Sequence, residues 1–560
     1  MERLAASVGL AIEGGVAPRF SPMLDVSCGG VLLALPAILA VGLLRNTDRH
    51  FSLPKGYYGM SSIFLLLCFL SLARVKTVEK LRFEAPGEWG KLLGLDRSPE
   101  VRTLREKVNL LAESGNPIPW SAELCREWMQ ETPLQAQVCY VDGHVRVYHG
   151  DQTKLPRHFV SRQRLCLRAT ADYWVNAMDG QPFFVVHQEV DPGLVQVVEH
   201  DILPVLERDI PSQPSSAELR SNPLLHRFTV VFDREGYSPP LMLRLRQLRV
   251  ACLTYRKKSG DDWPQEEFSS CEVRLVCGDL VTMRLAERGT FLGSLLWARE
   301  FRRLTDSGHQ TAIVTTDYSG AMGVLAATMF ARWSQENFFA YMRSQYGLDK
   351  LITYGTEKVP DTVKVVNPEY RRLDGDLRKK RSRLNRIAAE FGSLGLEGEI
   401  APVKVEAYEL RKAALFEETE SLREKIEALK AERKNVNQHI TFGELPEEAR
   451  FERLAVSSKH MIDTIKMIAY RAETAMAHTL KENMARHDDA RALLQSIYST
   501  EADLIPDEKA GTLTVRLHNM ASRNHDAAVN HLCDELNATE TEYPGTNLRM
   551  IYELVSSRNL

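Results

Sequence analysis

The chain has 560 residues, 26% of them charged and 44% hydrophobic, the make-up of an ordinary globular protein of about three or four domains, which excludes a largely disordered or collagen-like chain. Lys and Arg number 71 against 74 Asp and Glu, a net charge of -3, so a face for nucleic acid has to be a local patch and not an overall basic character. The nine cysteines are odd in number and never spaced as Cys-x2-Cys, which argues against a disulfide scaffold or zinc ribbon and for a reducing cytoplasm.

Residues 1–25 read as a flexible leader, followed by a helical N-terminal domain over 26–130. Two apolar runs, Gly30 to Leu44 and Ile63 to Ala73, fall short of the ~20 residues a bilayer span needs, and the first contains Pro36. Both predict buried helices and no membrane partner. Glu2, Glu13 and Asp25 precede the first run, which is not the basic start of a secretory signal. From Pro86 a short helix (Trp89 to Leu93) meets a turn at Gly94, and Ser98 is placed to cap a second helix beginning with Pro99 and Glu100. That helix carries Arg102, Arg105 and Lys107. Two readings stand side by side: a helix-turn-helix gripping DNA phosphates, or a plain helical hairpin with a solvated charged face.

From about Leu134 the period turns from helical to alternating. Cys139, Val141, Val145 and Val147 alternate with Asp142, His144 and Arg146, which predicts a strand with one buried and one polar face. Strand-like runs Leu165 to Asn176 and Pro182 to Gln188 flank the turn signal Asp179-Gly180. Next come a helix (Leu194 to Arg208), a buried strand ending on Asp233, a helix (Pro240 to Leu248) and a strand (Arg249 to Tyr255). Three antiparallel strands, then helix, strand, helix, strand, is the order of an RNase H-like α/β core, placed here over 131–350. A β-rich insertion interrupts it at 257–317, with strands at Cys271 to Val276, Val281 to Leu285, Leu296 to Arg302 and Thr311 to Thr315. A long helix, Ala321 to Tyr346, then carries Arg332, Glu336 and Arg343 on one face. Alone, Arg332 and Glu336 make only an i,i+4 ion pair worth ~0.3–0.5 kcal/mol.

An acid on the first strand (Asp142), an acid ending the fourth (Asp233), the insertion, and then Arg332-x3-Glu336-x6-Arg343 together resemble the DDE transposases of bacterial insertion sequences. In particular they resemble the group whose last block reads Tyr-x2-Arg-x3-Glu-x6-Lys. Met329 stands where that block has Tyr, removing a hydroxyl, and Arg343 stands where it has Lys, keeping the charge. The resemblance implies a DNA transposase that cuts a phosphodiester with water and joins the freed 3'-hydroxyl to target DNA. It implies two Mg2+ ions, with Mn2+ as a substitute, held by Asp142 bridging and by Asp233 and Glu336 each completing one site. Arg332 and Arg343 then neutralise phosphate oxygens. The implied partners are double-stranded DNA, as element ends and target, and further copies of the chain in a homodimer or higher synaptic assembly. The implied location is the cytoplasm at the nucleoid. Glu235 and Asp317 are rival acids, and Trp263 and Trp297 in the insertion are rival readings between core aromatics and base-stacking groups.

Residues 351–440 read as a basic helical hairpin or short coiled coil. Its first helix holds Arg378-Lys-Lys-Arg-Ser-Arg and an apolar seam of Leu373, Leu377, Leu384 and Ile387; its second repeats Tyr408, Leu415, Leu422 and Leu429. Residues 441–560 read as a mostly helical C-terminal region with one alternating run, Thr512 to His518, and no site chemistry. The competing function is a non-catalytic DNA-binding regulator derived from a transposase.

Overall fold

The computed structural model describes all residues except 1–13, 149–154, 161–162, 189–191, 276–277, 351–355, 395–404, 455, 483, 485–488 and 556–560. Residues 1–13 of the expected leader thus fall outside the described residues. Its described end is engaged: the Val16 amide donates to the Tyr57 carbonyl (2.9 Å) and that of Arg19 to Gly94 (2.8 Å), and β1 (Met23–Val26) pairs with a C-terminal strand. The fold is mixed α/β and divides into two compact units, one of residues 1–148, 158–355 and 454–560, the other of 149–157 and 356–453.

The first unit is organised by a ten-stranded sheet. Its heart is β2 (Val138–Val147). At one edge lies the short β3 (Arg157–Val160). β4 (Leu165–Asn176) pairs antiparallel with β2, and β5 (Pro182–Gln188) antiparallel with β4. On the other side β6 (Thr229–Phe232) runs parallel to β2, and β7 (Ala251–Tyr255) parallel to β6. The run Thr229-Val-Val-Phe is wholly buried, as expected of β-branched and aromatic residues in a parallel strand covered on both faces. Helices Leu194–Asp209, with a π turn at Val198–Ile202, and Pro239–Gln247 make the two crossovers.

The predicted insertion continues this sheet. β8 (Ser269–Arg274), β9 (Leu280–Leu292), β10 (Leu296–Leu304) and β11 (Gln310–Thr315) follow one another antiparallel, and β11 joins β7 with Ile313 opposite Tyr255. Its four strands therefore extend an edge that would otherwise expose unpaired backbone.

β2 departs from the expected polar face. His144 and Arg146 are 2% and 1% exposed, because the helix Trp333–Tyr346 and the long helix Ser457–Lys481 carry aromatic and charged side chains against that side. The long helix packs also on helices Leu35–Val41 and Met60–Leu72. The N-terminal helices and residues 454–560 therefore share one compact unit with the sheet, whereas sequence places them in separate domains. The two apolar runs are buried core, and among the described residues no helix is long and apolar enough to cross a membrane. The C-terminal segment adds strands Ala502–Asp507, Thr512–Leu517 and Arg549–Leu554, where sequence showed one alternating run.

The expected single helix from Ala321 to Tyr346 is two, Met322–Phe330 and Trp333–Tyr346. Tight bonds from the Ser334 amide to the Ala331 carbonyl (2.8 Å) and from Gln335 to Arg332 (3.0 Å) mark the break. The cause is docking of the second helix: the Gln335 amide nitrogen donates to Asn176 Oδ1 (2.9 Å) and the carbonyls of Tyr140 (3.2 Å) and Trp174 (3.3 Å). Gly180, at φ +88°, lets the β4–β5 turn approach so closely that a Cβ there would meet the Ser334 carbonyl oxygen at 2.9 Å.

In the second unit, helices Pro368–Leu394 and Val405–Lys434 form an antiparallel hairpin. Leu373, Leu377, Ile387, Leu422 and Ile426 are its buried seam. Arg411–Glu390 (2.8 Å), Arg433–Asp374 (2.5 Å) and Arg383–Glu418 tie the helices across it. Leu384 and Leu429 are only partly buried.

Candidate active site

Asp142 sits on β2 opposite Trp174 of β4, and Asp233 follows the last residue of β6, whose Phe232 is paired with Val141. Adjacent parallel strands in the middle of the sheet thus bring two acids, 91 positions apart in sequence, beside one another at the end of β6. Glu336 enters from the first turn of Trp333–Tyr346.

Arg332, 8% exposed, lies in the break between the two helices and joins these acids. Its Nη1 donates to Asp142 Oδ2 at 3.3 Å, and its Nη2 to Glu336 Oε1. The other Asp142 oxygen accepts from the Gly143 amide (2.9 Å). Asp233 accepts from the Arg234 amide (2.6 Å) and its carbonyl from the Thr254 hydroxyl (3.1 Å), which fixes the end of β6. Burial pushes the Asp142 carboxyl up to about 6; Arg332 and the Gly143 amide pull against this, and the charges of Asp233 and Glu235 reinforce it. Burial opposes the charge on Arg332, but Asp142, Asp233 and Glu336 overcome that and hold the guanidinium above its ordinary range. Three carboxylates therefore act on Arg332, with Glu235 acting on Asp142 beside them, a surplus of negative charge beside a buried cation.

The other expected residues fall elsewhere. Arg343 donates its Nε to the Phe339 carbonyl at 3.2 Å, two turns along the helix from Glu336. Arg102 pairs with Glu106 (3.0 Å) and Arg105 with Glu79 on the surface, and Lys107 is half-buried. The helix they ride, Val101–Ser114, is capped by Glu100 without a side-chain bond; Ser98 is buried, its amide donating to the Pro86 carbonyl at 2.8 Å. Asp317 serves a turn: its Oδ1 accepts from the amides of Ser319 (2.9 Å) and Gly320 (2.8 Å). Trp263 is a core ring between Arg288 and Arg302. Trp297 is 46% exposed, edge-on to Phe291.

Sequence reasoning missed a second charged cluster on the same strand. Arg146 bridges Asp172 (2.6 Å) and Asp463 (2.7 Å), Lys459 lies on Asp172, and His187 Nδ1 on Asp172 Oδ1 (2.7 Å). All are buried except at the fringe of His187. Asp172, His187 and Asp463 have the spacing of metal ligands, yet two basic side chains already neutralise the two acids. The signal was the run Lys459-His460-x2-Asp463-x2-Lys466, charged at helical spacing inside a largely buried helix.

A family described as Transposase protein matches residues 1–556. The chain belongs to this transposase family. No curated protein matches it. The transposase assignment carries nuclease or transferase chemistry in general terms.

Proposed function

We propose that this transposase is of the DDE type, with an RNase H-like core whose catalytic carboxylates are Asp142, Asp233 and Glu336, and that it cleaves and transfers strands at the ends of an insertion sequence. One observation carries the reading: Arg332 bonds Asp142 and Glu336 and lies in the field of Asp233, so three acids far apart in the chain gather about one guanidinium at the end of β6. The order of three antiparallel and two parallel strands with β8 to β11 inserted before the last helices supports it. The donor set suits Mg2+, with Mn2+ as a substitute, because it offers carboxylate oxygens in charge surplus and no thiol or imidazole. Asp142, Asp233 and Glu336 would hold two such ions, which when bound polarise the attacking and leaving oxygens of an in-line displacement at phosphorus.

The chain's own groups do the rest. The β2–β6 pairing holds Asp142 and Asp233 side by side, Gln335 anchors the helix that presents Glu336, and Arg332 supplies a planar donor fork for a phosphate. Double-stranded DNA is the substrate, a homodimer or higher synaptic assembly the working form, and the cytoplasmic nucleoid the place of action. Arg102, Arg105 and Lys107, together with Arg343, contribute positive charge to the DNA backbone. The experiment is nicking of a supercoiled plasmid carrying the element ends, in Mg2+, Mn2+ or chelator. Cation-dependent nicks at the ends support the reading; end binding without cleavage in either cation would make the protein a DNA-binding regulator.

A further inference from the structure

Arg332 occupies the place where a cation would be wanted. It contacts Asp142 Oδ2 and Glu336 Oε1 at once and lies in the field of Asp233. A guanidinium cannot shed its charge at any working pH. Mg2+ takes its ligand oxygens at about 2.0–2.1 Å. An oxygen so ligated has little lone-pair density left for Arg332, and the two cations would repel each other across a half-buried site.

The same fork that matches a carboxylate pair also matches a phosphate. The break at Ala331–Arg332 leaves this side chain in a turn between two helices, so exchanging one oxyanion for another does not require unwinding either helix.

We infer that Arg332 is an exchangeable counterion: in the DNA-free protein it holds Asp142 and Glu336 against divalent cations, and a DNA phosphate draws it away, coupling cation loading to DNA binding. This rests on the proposed carboxylate site and adds an order to it. Without the guanidinium the gathered acids would repel one another; with it they are held ready and protected from metal in the absence of substrate. By linkage, whatever DNA does to cation affinity, the cation does equally to DNA affinity.

The test is a Mn2+ titration of the full-length protein, followed by electron paramagnetic resonance of the free ion, with and without a short duplex of arbitrary sequence at low salt, where backbone contacts suffice for binding. Wild type, Arg332→Gln, Arg332→Lys and Asp142→Asn are compared, with folding checked by circular dichroism. Arg332→Gln should bind Mn2+ about 5- to 100-fold more tightly than wild type without DNA, the size of a typical coupling, and should lose the tightening that DNA produces in wild type. Arg332→Lys, which keeps the charge but not the fork, should bind Mn2+ more weakly than Arg332→Gln and guards against a folding defect in the Gln variant. Equal or weaker Mn2+ binding by Arg332→Gln overturns the inference. Unchanged binding by Asp142→Asn would overturn the carboxylate site itself, a separate result.

Discussion

Two charged clusters lie on the same face of β2, four residues apart, and they are built on opposite terms. Around Arg146 two acids meet two basic side chains, deep in the protein and with the ion pairs closed on themselves. Around Arg332 the acids outnumber the cation, Glu336 is partly exposed, and burial together with neighbouring acids keeps Asp142 short of its usual acidity. A balanced, sealed cluster holds elements together. An unbalanced one beside the end of β6 is, on the proposed reading, the place for a further cation and for chemistry. That they share a strand means the first fixes the backbone on which the second depends.

The comparison predicts opposite phenotypes. In the open cluster, Glu336→Gln should reduce plasmid nicking to background with end binding nearly intact, whereas Asp317→Asn, altering a turn, should keep most activity. Dead Asp317→Asn with active Glu336→Gln would mean that the third carboxylate has been misassigned. In the closed cluster, Asp463→Ala strips Arg146 and Lys459 of a shared partner and should cost ~3–5 kcal/mol of stability in urea denaturation. A loss below about 1 kcal/mol would show that the cluster does not clamp the long helix to the sheet.

Lys466, on the same helix, sharpens the contrast. Burial lowers its pKa to about 8, with Asp463 opposing and Arg146 and Lys459 assisting. The unfolded chain, with an ordinary lysine near about 10.4, binds a proton that the folded chain gives up between those values, so this group makes stability rise as pH climbs from about 8 to about 10.4. Lys466→Met should therefore stabilise the protein on the order of 1–3 kcal/mol at about pH 7, with the gain shrinking toward about pH 10. Thermal melts across that range check it, and a constant difference would contradict it. At the small end, Arg102→Ala with Arg105→Ala should change stability by less than about 1 kcal/mol, since both pairs are solvent-exposed. If the helix grips DNA, a salt titration of end binding should show a slope reduced by about 1 for each phosphate the double variant no longer neutralises.

The open cluster was legible in the sequence because its parts sit at places that local patterns mark: Asp142 in an alternating strand, Asp233 at the end of an apolar run, Glu336 near the start of a helix. The order of β2 to β7 followed from the same periodicities. The closed cluster was not legible. His144 and Arg146 look solvent-facing in any local window, and only distant elements turn their face into an interior: Phe339 of Trp333–Tyr346 stacks on His144, and Asp463 of the long helix, more than 300 positions away, pairs with Arg146. The helix break at Ala331 was also hidden, because no Gly or Pro marks it and its cause is the docking of Gln335 on β2 and β4. Ser98 failed as a cap for a similar reason: the turn carries it into the interior and leaves the capping position to Glu100.

The central claim, that Asp142, Asp233 and Glu336 form the cation site of this transposase, is tested most directly by anomalous diffraction from crystals grown with Mn2+ and a duplex carrying an element end. The account predicts anomalous density among these three carboxylates, with Arg332 turned from Asp142 toward a phosphate. Density at Asp172, His187 and Asp463 or at Asp25, Asp503 and His518, with none beside Asp142, would contradict it.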